Sequence, residues 1–188
     1  MKLEEKGYTV DLDNGMATNE TLSFKVEFMA SEGYFLLQLS KWNKPQSGDY
    51  SLTITDSAFA NKYAEDDSVL EINDLTFKFT SIMSIGGYFQ FSSTKKRSGG
   101  ELYNVDSLGK IASIVVTANS TSYYSTLNLY VSNAPITSAN PGTSVTPTNN
   151  GNVFTYNVLA EASYFKLINE DEAYASKNTS IVLNYSIE

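Results

Sequence analysis

Histidine and cysteine are both missing from these 188 residues. Without them no Ser-His-Asp or Cys-His arrangement can form. Zinc loses its usual ligands, leaving only carboxylates and carbonyls for a metal. No disulfide can staple the fold, so stability has to come from a packed core, and either redox compartment suits the chain. Arginine occurs once, at Arg97, and tryptophan once, at Trp42. A lone arginine offers little of the forked geometry that phosphate recognition favours. Thirteen basic residues against 21 acidic ones leave a formal charge of -8, which speaks against nucleic acid or an anionic membrane as the general partner. No run approaches the roughly 18 apolar residues of a membrane-spanning helix. The opening MKLEEKGYTVDLDNG has no apolar stretch of the secretory kind, so the expectation is synthesis in the cytoplasm without export by that route. Amphipathic helices are also lacking, apart from room for one short helical turn in SAFANKYAEDD, residues 57–67.

Period two fills the space that helices leave. TLNLYVS puts Leu127, Leu129 and Val131 on one face, and LSFKVEF does the same with Leu22, Phe24, Val26 and Phe28. LTFKFTSI aligns Leu75, Phe77 and Phe79, and SIVLNYSI aligns Ile181, Leu183, Tyr185 and Ile187. Such alternation marks strands with one face inward and one wet. Turn signals at Asn14-Gly15, Gly86-Gly87, Gly99-Gly100 and Asn150-Gly151 break the strands at short intervals. Parallel pairing would need crossover helices, so an antiparallel sandwich is expected.

Three of the four prolines fall in residues 133–152, which read as a long surface loop. The 36 residues beyond it are too few for a core of their own, so their strands should return to earlier sheets. A better boundary lies near Gln46-Ser47-Gly48-Asp49. Residues 1–48 then form an N-terminal β extension or small docking subdomain with three strands, at 8–12, 22–28 and 34–39, and residues 49–188 form the sandwich.

From about Ser51 onward the order of elements carries a likeness. A strand holding Phe77 leads to a hairpin ending in Ser98-Gly99-Gly100 and then Tyr103-Asn104. Leu108-Gly109-Lys110-Ile111 opens a core strand, followed by the Leu127–Val131 strand, Tyr164-Phe165-Lys166 and a closing strand that reaches Tyr185. In this order and spacing the chain resembles a β-sandwich, jelly-roll-like repeat of gut-bacterial surface proteins and of virion proteins of their tailed, crAss-like phages. The resemblance implies an all-β antiparallel sandwich with an N-terminal β extension, and a role in holding on to neighbours rather than in chemistry.

Several residues are candidates for an interaction surface. Lys95-Lys96-Arg97 beside a Gly pair reads either as a clamp for phosphate or carboxylate or as the solvated tip of a hairpin, with glycine supplying positive φ; an acidic neighbour in an assembly is a third partner. Trp42, in LSKWNKPQSG, and Tyr123-Tyr124, in STSYYSTL, read as core cover, protein interface or platform for a sugar ring. DLDNGM, residues 11–16, has the oxygens of a calcium loop, but its glycine falls one position early and Leu22 stands where the bidentate acid belongs, so a tight turn is the better reading. Glu65-Asp66-Asp67 and Glu170-Asp171-Glu172 read as solvated loops. Paired carboxylates could hydrolyse a glycoside, yet nothing singles out a pair among 21 acids.

These features lead to a non-enzymatic interaction protein with no cofactor and no metal. The resemblance implies an auxiliary or decoration protein of a tailed-phage capsid, or a head-fibre component, bound to capsid subunits or to itself on the virion surface. The alternative is a carbohydrate-binding or adhesion module at a bacterial cell surface.

Overall fold

The computed structural model describes residues 9–11, 16–18, 23–31, 34–42, 47–64, 67–120 and 126–187, with side chains from residue 47 onward. The chain divides into two compact units, Met1–Gln46 and Ser47–Glu188.

In the first unit, β1 (Thr9–Asp11), β2 (Met16–Thr18), β3 (Ser23–Ser31) and β4 (Tyr34–Trp42) pair antiparallel in sequence order. The sequence reading has three strands here. It passes over β2, whose three residues are too short to show a period.

The second unit holds β5 (Gly48–Thr55), β6 (Ser68–Ile72), β7 (Leu75–Thr80), β8 (Ile82–Ser84), β9 (Phe89–Phe91), β10 (Glu101–Asn104), β11 (Lys110–Ala118), β12 (Asn128–Ser132), β13 (Thr143–Val145), β14 (Thr148–Asn150), β15 (Val153–Asn157), β16 (Tyr164–Ile168) and β17 (Ser176–Ile187). A single 3-10 turn, Asp56–Ala58, is its helical content among the described residues. A six-stranded sheet runs β13-β12-β16-β10-β7-β6, and a seven-stranded sheet runs β14-β15-β11-β17-β9-β8 with β5 also on β17. Taken as eight successive strands, β5, β10, β11, β12, β13, β15, β16 and β17 place the first, eighth, third and sixth in one sheet and the second, seventh, fourth and fifth in the other. That order is a jelly roll. Two hairpins, β6–β7 and β8–β9, are inserted between its first two strands and widen one sheet each.

β17 is the axis of the seven-stranded sheet. It pairs with β11 on one edge, and with β9 and then β5 along the other. Its inward residues Ile181, Leu183 and Tyr185 face Ile54, Leu52 and Tyr50 of β5 in register. Across the sandwich, Phe77, Leu102, Leu129, Phe165 and Leu167 are fully buried from the six-stranded sheet. Phe59 wedges between the layers, edge-on to Phe79 of one sheet at 5.1 Å and against Phe89 of the other at 4.9 Å.

Two features depart from the sequence reading. Residues 133–152 are not one loop: β13 and β14 lie within them, and each extends a different sheet, so the segment is where the chain changes layers. The 92–100 segment is not a hairpin tip either, because β9 pairs with β8 and β17 while β10 pairs with β7 and β16. The Gly pair serves that crossing. A Cβ on Gly100 would stand 2.6 Å from the Phe91 Cα, and one on Gly99 would stand 2.7 Å from the Asn169 carbonyl oxygen.

Candidate functional site

The outward face of the six-stranded sheet has a feature that no local reading of the sequence contains. Strand register places Val69 opposite Lys78, Lys78 opposite Tyr103, Tyr103 opposite Lys166, Lys166 opposite Tyr130 and Tyr130 opposite Ser144. One continuous row thus crosses all six strands, with lysine and tyrosine alternating through its centre. On the four central strands the residues on either side of each one in its own strand are buried, as the pleat requires. Opposed side chains lie within about 5 Å at Cβ, so each long side chain rests on its neighbours. The tyrosines and lysines of the row are half-buried, and Val69 at its end is 57% exposed.

Both phenols are anchored at the same end of the sheet. The Tyr103 hydroxyl donates to Asp67 Oδ2 at 3.1 Å, and the same carboxylate takes the Thr80 hydroxyl at 2.9 Å and lies 3.9 Å from Lys78 Nζ. The Tyr130 hydroxyl donates to both oxygens of Glu170, at 3.1 and 3.2 Å, and Asn128 donates to that carboxylate too. Lys166 Nζ stands 4.0 Å from Glu101. Burial and then the Asp67 hydrogen bond hold Tyr103 protonated, with its pKa pushed up to about 12. Burial followed by Glu170 raises Tyr130 as well. Below the row the strands carry Thr76, Tyr164 and Ser132, with Tyr164 opposite Ser132. Asp67 and Glu170 come from the two acidic clusters that read as solvated loops; both are exposed, and each also fixes a ring of the row, which sequence spacing cannot show because the partners lie 36 and 40 residues away.

A second aromatic feature lies on the other sheet. Tyr50 stacks on Tyr185 at 5.5 Å beside a cleft of about 400 Å³ lined also by Asp49, Ser51, Ala112 and Asn184. At one end of the sandwich, two shallow clefts of about 360 and 340 Å³ share Asn133, Glu161 and Ala162. Each of the three clefts has one carboxylate, whereas glycoside hydrolysis needs two flanking the bond. Among the described residues, no group of three acidic side chains is placed to hold a metal.

The residues singled out from the sequence fall outside the row. Lys95, Lys96 and Arg97 sit on the sheet-to-sheet crossing, exposed, with the Arg97 guanidinium carbon 4.6 Å from the centre of the Tyr63 ring. Neighbouring backbone is bonded inward, from the Thr94 N–H to the Asp171 carbonyl and from the Gly100 N–H to that of Ser92. The Gly100 amide is therefore engaged within the fold rather than turned to an anion. Trp42 ends β4 opposite Ser23, and its side chain lies outside what is described. Tyr123, Tyr124, Glu65, Asp66 and the turn within 11–16 lie outside the described residues.

Fold and site together define an all-β jelly-roll sandwich that presents an ordered tyrosine–lysine face. Among solved structures, the chain is similar to one described as a low-affinity xylan-binding module, CBM86, from the gut symbiont Roseburia intestinalis, with 12% identity, 71% of this chain and 94% of that chain covered, and a TM-score of 0.33. No family model and no curated protein matches the sequence.

Proposed function

We propose that the protein is a non-catalytic carbohydrate-binding module and that the outward face of the six-stranded sheet is its binding surface. The observation that carries this reading is the row Lys78–Tyr103–Lys166–Tyr130, with both phenols tethered to carboxylates. A pyranose ring has an apolar face and a polar rim. A tyrosine ring matches the face, and flanking ammonium and carboxylate groups match the hydroxyls of the rim. Tethering matters because a ring already fixed loses little conformational freedom on binding. The described carboxylates near the row are occupied by structural hydrogen bonds and ion pairs, which suits a surface that grips and does not cleave.

Calorimetric or gel-retardation titration against a panel of soluble polysaccharides tests the reading. Binding of at least one glycan is expected, weakened tenfold or more in Tyr103→Ala and in Tyr130→Ala, a loss of about 1.4 kcal/mol or more. A panel with no binder, or binding untouched by both changes, would overturn it. No feature of the described residues favours the virion partner expected from the sequence.

A further inference from the structure

We infer that the ligand is an uncharged, extended polysaccharide lying across the strands, with Tyr103 and Tyr130 engaging it one disaccharide apart. This rests on the carbohydrate reading and adds the ligand's charge, direction and repeat.

Direction follows from register. The row runs perpendicular to the strands and spans all six, from Val69 to Ser144. At about 4.8 Å between neighbouring strands, five spacings give a track of roughly 24 Å. A row one residue wide offers a globular or branched ligand little purchase; a linear chain fits along it. Repeat follows from which strands carry the rings. Tyr103 on β10 and Tyr130 on β12 are separated by the single strand β16. Two spacings are roughly 9.6 Å, close to the length of one disaccharide unit in an extended glycan. Successive rings would therefore meet equivalent sugars, and Lys166, midway between them, would meet the intervening one.

Charge follows from what faces the track. Asp67, Glu71, Glu101 and Glu170 stand on this face against Lys78 and Lys166 alone among the described residues. Both lysines already lie within 4.0 Å of a carboxylate, Lys78 of Asp67 and Lys166 of Glu101. A uronate brought to the row would meet net negative charge and no cation without a carboxylate beside it. A neutral sugar hydroxyl meets the opposite situation. Each anchoring carboxylate accepts from its phenol and from one further side chain, Thr80 on Asp67 and Asn128 on Glu170, and its two oxygens keep lone pairs beyond these that can accept from the sugar.

The experiment titrates the full chain with neutral gluco- and manno-oligosaccharides of increasing length and with oligogalacturonates of matched length. For at least one neutral series, affinity should rise steeply from disaccharide to tetrasaccharide and level off once the chain outgrows the track. Matched oligogalacturonates should bind at least tenfold more weakly. Tyr103→Ala and Tyr130→Ala should each flatten the rise between disaccharide and tetrasaccharide, while Tyr103→Phe, which keeps the ring, should retain most of it. Circular dichroism of each variant separates lost binding from lost folding. Affinity independent of length, or oligogalacturonate bound as well as its neutral counterpart, would overturn the inference and leave the carbohydrate reading standing. Failure to bind any oligosaccharide or polysaccharide would overturn both.

Discussion

Asn169 has no exposure to solvent, and its side chain closes one end of the sandwich. Its amide nitrogen donates to the carbonyls of Phe91, Ser92 and Tyr174, and its oxygen accepts from the Asp171 N–H. Truncation would remove all of these bonds at once, although the Ser92 carbonyl keeps the Gly100 N–H, so Asn169→Ala should cost about 3 kcal/mol in urea unfolding. Two glycines, Gly86 and Gly100, provide a sharper comparison. Gly86 has a φ of +80° with nothing within 4 Å of a Cβ, so Gly86→Ala should cost only the backbone strain of about 1 kcal/mol. At Gly100 the added methyl would overlap Phe91 backbone, and the loss should be clearly larger. Tyr103 gives a pH signature. Its pKa rises from 10.0 unfolded to about 12 folded, so its contribution is complete below pH 10 and is lost as pH climbs toward 12. The stability advantage of the wild type over Tyr103→Phe should therefore shrink across that interval, as read from urea midpoints at successive pH values.

Strands are where the sequence is most legible. The alternation around Phe77, Leu129 and Leu183 assigns each of these residues to the core, and all three are fully buried. Period two reports which way a side chain points and nothing about its neighbour on the next strand. Lys78, Tyr103, Tyr130 and Lys166 each look like an ordinary wet-face residue until register sets them side by side. This is why the row could not be found in advance, while the basic triplet, conspicuous in sequence, drew the eye. Turn chemistry shows the same limit. Asn73-Asp74 closes β6–β7 with φ values of 53° and 62°, a two-residue turn that asparagine and aspartate tolerate, yet it has no glycine to announce it. The strands also set an expectation for the core. Phe165 on β16 is fully buried and 6.2 Å from Phe77, and Phe165→Ala should lower unfolding free energy by about 3–5 kcal/mol.

At the scale of the molecule, the second unit has a hydrophobic core of its own that joins both of its sheets. Residues 47–188 expressed alone should therefore unfold in one cooperative urea transition, with coincident fluorescence and circular dichroism curves. The all-β class and antiparallel pairing were legible from alternation and the missing helices. The boundary between two sheets inside residues 133–152 was not, because three-residue strands are too short to carry a pattern. The place of β17 has a consequence for biosynthesis. It is made after β5, β9 and β11, yet it is the one on which all three converge. While residues 176–187 are still inside the ribosome, the edges of those earlier strands have no partner to zip onto. The sandwich must wait, open along its middle, and acquire its native form in a late, all-at-once step rather than piece by piece as the chain emerges.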